Sequence, residues 1–194
     1  MNAAASHAEG RPFDSRTETI VLAGGCFWCT EGIFRRVRGV LEVQPGYANS
    51  DIERPSYAQV CAADTGSAES VRLVFDPQRI GLRDLLAIFF ATHDPTTLDR
   101  QGHDIGPQYR SGIYFGTPAQ ERVAHEAIAA VQASRRYPGP VVTEVLPLKS
   151  WWPAEQEHHD YFRRHPEQSY CAVVIAPKID KFEREFAMAR RLAD

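Results

Sequence analysis

The stretch that decides the fold is Ile20-Val21-Leu22-Ala23-Gly24-Gly25-Cys26-Phe27-Trp28-Cys29, an apolar run followed by two glycines and a C-x-x-C. Residues 19–23 predict a buried strand, and the helical spacing of the apolar residues that follow predicts a helix from Cys26 to about residue 37. The two glycines permit a tight turn and the close approach of a substrate. Cys26 then lies in the first turn of the helix, where unpaired backbone N–H groups favour a thiolate. We therefore expect a nucleophilic cysteine at neutral pH, beside an apolar pocket walled by Phe27 and Trp28.

Composition limits the kind of protein that surrounds this stretch. The chain has 194 residues, of which 43% are apolar and 24% charged, which predicts one globular domain over residues 18–194 after a mobile leader at residues 1–17. The net charge of −3 gives no reason to expect nucleic acid or an anionic membrane as partner. No run approaches the roughly 20 apolar residues that cross a bilayer, and no signal peptide is visible. Four cysteines are too few for a disulfide scaffold, so we expect a reducing, cytoplasmic setting.

Strand and helix patterns follow one another irregularly along the rest of the chain. We predict strands at residues 40–43, 71–75, 113–115, 141–148 and 170–176, the first of them ended by Pro45 and Gly46. We predict helices at residues 82–92, 153–164 and around 179–189, and another that begins after a capping box of Thr117 and Gln120. Residues 57–61 fit either a short strand or a helical turn. This mixed order favours an α+β two-layer fold over a doubly wound sheet. The polar residues 94–110 form a loop long enough to be functional.

The C-x-x-C of Cys26 and Cys29 has three interpretations. A pair of buried cysteines at the start of a core helix is the simplest, but glycines before it and bulky aromatics inside it are unusual choices for filling a core. A metal site needs two more ligands, and the remaining cysteines, Cys61 and Cys171, are isolated in the sequence. A redox-active or nucleophilic thiol with no bound metal is therefore favoured, and Cys61 is expected to be a core residue.

Polar residues suited to chemistry occur at three other places. Glu69 lies just ahead of an apolar strand, where a solvated carboxylate at the strand edge is the simpler interpretation. The long loop carries Asp104 and Tyr109 among glycines, which suits a site that hydrogen-bonds a small polar group, unless its polar side chains only satisfy one another. His158 is expected to be a core or supporting histidine rather than a catalyst.

Several motifs, at their mutual spacing, resemble the peptide methionine sulfoxide reductases of the A type over most of the chain. The two most specific are Gly24-Gly25-Cys26-Phe27-Trp28 and Gln101-Gly102-His103-Asp104-Ile105-Gly106-Pro107-Gln108-Tyr109-Arg110-Ser111. Similar too are Pro45-Gly46-Tyr47, Tyr57-Ala58-Gln59-Val60-Cys61, His93-Asp94-Pro95-Thr96-Thr97, Ala154-Glu155 with His158, and Tyr170-Cys171. One departure is Ser67, which stands where the family commonly has a histidine shortly before the acidic residue.

The resemblance implies a fold, an activity and a set of site residues. The fold is a single-domain two-layer α/β plait with a ferredoxin-like core, and the activity is reduction of methionine S-sulfoxide in oxidised proteins and peptides. Cys26 would be the nucleophile and Glu69 the acid that protonates the sulfoxide oxygen. Phe27 and Trp28 would form a box for the methyl group of the substrate. Tyr57 and Tyr109 would donate hydrogen bonds to the sulfoxide oxygen, and Asp104 would help hold the polar side of the site. No bound cofactor is implied, and the reductant would be an external dithiol such as thioredoxin.

The chemistry agrees with these residue types. A thiolate attacks the sulfoxide at sulfur while its oxygen takes up protons, and a buried carboxylic acid flanked by phenols supplies one near neutral pH. Cys26 is left as a sulfenic acid, which a second cysteine converts to a disulfide that an outside dithiol reduces. By its C-x-x-C spacing Cys29 is the expected second cysteine, with Cys171 as the alternative. General thiol–disulfide exchange and catalytically silent binding of oxidised methionine are the competing functions.

Overall fold

The first strand is the centre of the fold, because its apolar residues are buried on both faces. The computed structural model of the chain describes residues 17–187, and in it β1 spans Glu18–Gly24. Ile20 and Leu22 pack with the helices, whereas Val21 and Ala23 belong to a second cluster on the opposite face. A strand that is covered on both faces needs a continuous apolar run, which explains why residues 20–23 are uninterrupted by polar side chains.

Six strands form one mixed sheet and two short ones form a separate hairpin. The other strands are β2 (Val40–Ala48), β3 (Ala68–Phe75), β4 (Arg100–Gln101), β5 (Asp104–Ile105), β6 (Ser111–Phe115), β7 (Glu144–Pro147) and β8 (Trp151–Pro153). The sheet order is β7-β6-β1-β3-β2-β8, and β4 pairs with β5. β6 and β7 are parallel, whereas the other neighbouring strands of the sheet are antiparallel. The central position of β1 and β3 brings the residues that follow β1 next to those that begin β3.

The helices cover one face of this sheet. They are α1 (Phe27–Phe34), α2 (Tyr57–Cys61), α3 (Leu82–Thr92), α4 (Pro118–Ser134), α5 (Tyr161–Arg164) and α6 (Ala176–Glu185). α1 packs on β2 and β3, while α6 packs on both α1 and α3. Single 3₁₀ turns occur at Pro107–Tyr109 and Gln156–His158. The predicted mixed α and β class is confirmed, and the finer description as a ferredoxin-like plait stays a prediction.

The first strand boundary that we predicted after β1 is wrong. β2 does not end at Pro45-Gly46 but runs on to Ala48, with Pro45 opposite Val71 and Gly46 opposite Ser70. The carbonyl of Pro45 accepts a hydrogen bond from Ala154, so the strand continues its pairing on that side. A Cβ at position 46 would lie 2.4 Å from the carbonyl oxygen of Trp152, which explains the glycine inside a strand.

The segments near the end of the described chain also differ from prediction. Residues 153–164 do not form one helix, because Asp160 has a φ of 54° and separates the 3₁₀ turn from α5. Residues 170–176 are helical rather than a strand, with a π-helical turn at Cys171–Ile175 that runs directly into α6. Cys171, Ile175 and Ile179 are buried at intervals of one helical turn, while Val173 is 73% exposed. Most of the predicted leader and the C-terminal end of the last predicted helix lie outside the described residues.

Two helix starts show how local hydrogen bonds settle what periodicity left open. At Ser56 a complete capping box with Gln59 makes residues 57–61 a helix, not a strand. At Thr117 only half of the predicted box forms, since its hydroxyl accepts from the Gln120 N–H. The Gln120 side chain instead accepts from Gly116 and donates to Thr19, which ties α4 to β1.

Candidate active site

Cys26 lies at the junction between β1 and α1. It is the residue just before α1, and its carbonyl accepts a hydrogen bond from the Cys29 N–H at 3.1 Å. Gly25 has a φ of 86°, and a Cβ there would lie 2.5 Å from the Gln101 side chain, so glycine is required. We predicted that the two glycines would allow a substrate to come close. At Gly25 the group that comes close is instead the Gln101 side chain of the long loop.

Glu69 is buried in β3 beside the start of α1, and the simpler interpretation of it as a solvated carboxylate is wrong. Its side chain is 1% exposed, and its Oε2 accepts a 3.1 Å hydrogen bond from the backbone N–H of Phe27. Burial raises the pKa of Glu69 to about 8, opposed by the Phe27 N–H and reinforced by the nearby Asp104 and Cys29. The carboxyl group is therefore mostly protonated at neutral pH.

Cys26 and Cys29 form a buried pair of thiols. Burial raises the pKa of Cys26 well above its usual value, and Cys29 and Glu69 add to that effect. A hydrogen bond with Cys26 lowers the pKa of Cys29 to about 7, against the opposing effect of burial. Above a pH of about 7 the two sulfurs thus share one proton and carry one negative charge between them. We predicted that the helix start would lower the pKa of Cys26. That prediction is wrong, because burial raises this pKa by more than the helix start lowers it.

Tyr170 belongs to the site, although the sequence pointed to it only as part of a motif. Its hydroxyl donates a 2.7 Å hydrogen bond to Oδ2 of Asp104. The same hydroxyl lowers the pKa values of both Cys26 and Cys29 by hydrogen bonding. Tyr170 therefore lies between Asp104 and the two sulfurs, and Asp104 also raises the pKa of Cys29 directly by its charge. Besides that motif, the helical spacing of residues 171–182 is a signal that places this segment against α1.

The two candidate phenols also lie near the acid. Tyr109 ends the 3₁₀ turn that packs on β3, and burial raises its pKa, with Glu69 and Cys26 as the next largest causes. Burial likewise raises the pKa of Tyr57, with Glu69 next. Both phenols therefore stay protonated and remain available as hydrogen-bond donors at neutral pH.

Aromatic rings surround Phe27 and Trp28. The Trp28 ring is stacked on Tyr161 with 3.8 Å between centroids and 7° between planes. The Phe27 ring lies 6.3 Å from Tyr57 and 5.4 Å from His158. His158 is buried, as expected of a core histidine, and burial lowers its pKa, which keeps the ring neutral.

The other two cysteines are placed differently from each other. Cys61 is exposed and its thiol contacts the Tyr57 hydroxyl, so the expectation of a core cysteine is wrong. Cys171 is fully buried, and burial raises its pKa with smaller effects from Glu167 and Cys29. All four cysteines are reduced in the structure.

Within residues 17–187, no group of three or more His, Cys, Asp or Glu side chains is placed to hold a metal ion. None of the helices in that range has the length and apolar character needed to cross a bilayer.

A protonated carboxylic acid beside a dithiol suits reactions in which sulfur is oxidised while a leaving oxygen is protonated, which is the chemistry of a thiol-dependent oxidoreductase. The family model described as peptide methionine sulfoxide reductase matches residues 18–190. The chain therefore belongs to the peptide methionine sulfoxide reductase family and is an enzyme that reduces methionine sulfoxide.

Curated relatives and solved structures agree with this assignment. The chain is 54% identical over 174 residues to peptide methionine sulfoxide reductase MsrA of Ralstonia nicotianae, covering 88% of this chain and 91% of that protein. Methionine sulfoxide reductase A of Corynebacterium diphtheriae aligns with a TM-score of 0.75 at 33% identity, covering 79% of this chain and 77% of that one. Reduced Mxr1 of Saccharomyces cerevisiae also gives a TM-score of 0.75 at 33% identity, over 81% and 90% of the two chains. Mxr1 in complex with Trx2 aligns with a TM-score of 0.55 at 24% identity, over 79% and 91%, which indicates a shared fold.

Proposed function

We propose that the chain reduces the S epimer of methionine sulfoxide in oxidised proteins and peptides, with Cys26 as nucleophile and Glu69 as acid. The observation that carries the proposal is the buried Glu69 carboxyl, held against the Phe27 N–H and protonated up to a pH of about 8. The preference for the S epimer follows from the resemblance of the motifs.

In the first step the Cys26 sulfur attacks the sulfur of the sulfoxide. Its proton passes to Cys29, whose lower pKa makes it the thiolate of the resting pair. The sulfoxide oxygen receives the Glu69 proton as it moves to the Cys26 sulfur. Methionine leaves, reduced by two electrons, and Cys26 is oxidised to a sulfenic acid. Tyr57 and Tyr109, both protonated, donate hydrogen bonds to the oxygen as negative charge develops on it.

Phe27 and Trp28 hold the methyl group of the substrate beside the attacked sulfur. Their rings are fixed by neighbours, with Tyr161 stacked on Trp28 and Tyr57 against Phe27. Asp104 holds the polar side of the site by accepting a hydrogen bond from the Tyr170 hydroxyl, which keeps the Tyr170 ring beside the sulfurs.

In the second step Cys29 displaces water from the sulfenic acid and forms a disulfide with Cys26. The hydrogen-bonded contact between these two sulfurs favours Cys29 over Cys171. Mass spectrometry after one equivalent of sulfoxide tests this choice. We expect a Cys26–Cys29 crosslink, and a Cys26–Cys171 crosslink would contradict it.

An external dithiol of the thioredoxin type then reduces the disulfide by thiol exchange. The complex of yeast Mxr1 with Trx2 supports this step by analogy with that protein. The proposal includes a cytoplasmic setting, which the sparse cysteines favour.

Turnover of the separated sulfoxide epimers, with a thioredoxin system as reductant, tests the whole proposal. We expect turnover of the S epimer of a methionine-sulfoxide peptide and none of the R epimer, with two thiols lost per oxidised chain. Cys26→Ser should abolish the reaction while near-ultraviolet circular dichroism stays that of the folded protein. Undiminished turnover in Cys26→Ser would end the proposal.

A further inference from the structure

The Glu155 carboxylate joins two aromatic walls of the site. Its Oε1 accepts a 2.8 Å hydrogen bond from the backbone N–H of Tyr57, and its Oε2 accepts one of 2.8 Å from the Tyr47 hydroxyl. Within residues 17–187 it forms no ion pair with a lysine, arginine or histidine. Burial works against its charged form, but the Tyr57 N–H and the Tyr47 hydroxyl outweigh this and hold the pKa of Glu155 below its usual range.

Both partners of Glu155 pack against the residue that follows the candidate nucleophile. The centroid of the Phe27 ring lies 5.9 Å from that of Tyr47 and 6.3 Å from that of Tyr57. Tyr47 is fully buried in β2, so its ring is fixed by the core. Glu155 therefore links Tyr57, which is only partly buried, to Tyr47, which the core encloses.

Tyr57 needs such a tie because its own helix is short. It is the first residue of α2, which has only five residues, and isolated helices of that length are unstable in water. The first N–H groups of a helix have no partner within it, and Glu155 supplies one from the far end of the chain. The Ser56 hydroxyl accepts a hydrogen bond from the Gln59 N–H. The backbone N–H of Tyr57 is bound instead by Glu155.

We propose that Glu155 is a positioning residue, which acts on the reaction only by holding the Tyr57 phenol where it can donate to the sulfoxide oxygen. This inference rests on the proposed function of Tyr57. A purely structural role would instead stabilise the fold and affect the rate regardless of whether position 57 carries a hydroxyl.

A double-mutant cycle separates the two roles, because coupled residues give non-additive effects. Single-turnover rates are measured for Glu155→Ala, Tyr57→Phe and the double variant on a methionine-sulfoxide peptide. We expect Glu155→Ala to lower the rate roughly ten- to a hundredfold, as displacement of a reacting group does, and to change it by less than about twofold when Tyr57→Phe is already present. Equal losses in both backgrounds would overturn the inference.

Matched variants keep the test decisive. Glu155→Gln retains an acceptor for the Tyr57 N–H, so it carries the cycle if Glu155→Ala does not fold. We expect it to lose about threefold in rate with Tyr57 and nothing with Tyr57→Phe, because a neutral acceptor binds the N–H less strongly. No loss in either background would also overturn the inference. The exposed Glu157, changed to Gln, should keep the parent rate. If the parent protein itself has no turnover, the proposed function fails rather than this inference.

Discussion

The backbone N–H of Phe27 donates a hydrogen bond to Oε2 of Glu69, two residues that lie 42 positions apart in the chain. This bond fastens the start of α1 to β3 and holds the acid next to the candidate nucleophile. A single N–H donor compensates only part of the cost of burying a carboxylate, so the neutral acid is the stable form at neutral pH. The contact therefore fixes where the proposed proton donor lies, while burial keeps the proton on the carboxyl group at neutral pH.

Glu69→Gln removes the transferable proton but keeps an acceptor for the Phe27 N–H. We expect the single-turnover rate on a methionine-sulfoxide peptide to fall by roughly 10²- to 10⁴-fold, the usual contribution of a general acid. In the parent protein this rate should fall as pH rises through about 8, where Glu69 ionises. Rapid-quench kinetics across this range check both points. Glu53→Gln, at an exposed loop position, is the control, and a falling limb near pH 8 that survives in Glu69→Gln would contradict the assignment.

The same carboxyl makes stability depend on pH. Its pKa is about 8 in the folded protein against a usual 4.5, so between these values the folded chain holds a proton that the unfolded chain has released. The free energy of unfolding contributed by Glu69 is therefore present in full below about pH 4.5 and is lost as pH rises towards 8, by at most about 1.4 kcal/mol per pH unit. Urea midpoints should fall across this window in the parent relative to Glu69→Gln. A constant difference between the two proteins would show that Glu69 is ionised when folded.

The shared proton of the dithiol can be titrated directly by the ultraviolet absorbance of thiolate. In the parent we expect one thiolate to appear near pH 7, because hydrogen bonding to Cys26 lowers the pKa of Cys29. Cys26→Ala removes the hydrogen-bond partner of Cys29 and leaves the Cys29 thiol buried, so the pKa of Cys29 should rise. Cys61→Ser should leave the titration near pH 7 in place, since Cys61 lies outside the pair. If the low titration disappears in Cys61→Ser instead, the pair does not share a proton.

How much of the fold was predictable depends on how local its causes are. β1 and α3 follow from apolar patterns within a single element, and both were predicted from the sequence. The helical nature of residues 170–176 was missed because the buried stripe from Cys171 to Phe182 shows its spacing only across two joined helical segments. The continuation of β2 past Pro45 depends on pairing with β8, which lies about a hundred residues away.

The site residues, too, were predictable where a local motif contains them and were missed where distant contacts define their role. Cys26 and Glu69 were identified from motifs, and the structure places them close together. Tyr170 was noted only within the Tyr170-Cys171 motif, and its role was missed because its bond to Asp104 spans 66 residues. The raised pKa of Cys26 arises from burial by distant parts of the chain, which no local pattern can give.

The stack of Tyr161 on Trp28 should control how well the substrate's methyl group is held. Tyr161→Leu removes one face of the stack, so we expect KM for a methionine-sulfoxide peptide to rise several-fold and stability to fall by about 0.5–1.5 kcal/mol. Tyr161→Phe keeps the ring and should retain the parent KM. Steady-state kinetics and urea unfolding of both variants provide the measurement. A similar rise in KM for the two variants would mean that the hydroxyl, and not the stacked ring, supports the site.

Glu31 should be essential to the stability of the turn that presents Tyr161. Its carboxylate is 1% exposed, accepts the Asp160 N–H at 2.8 Å and pairs with Arg35 at 3.0 Å. Glu31→Ala leaves that partly buried N–H without its acceptor, at a residue with a φ of 54°, so we expect the free energy of unfolding to fall by about 1–3 kcal/mol. Glu42→Ala is the matched control, because its pair with Arg72 is at the surface and should contribute at most about 1 kcal/mol. Urea unfolding of the two variants compares them, and equal losses would show that burial of Glu31 gives its contacts no added strength.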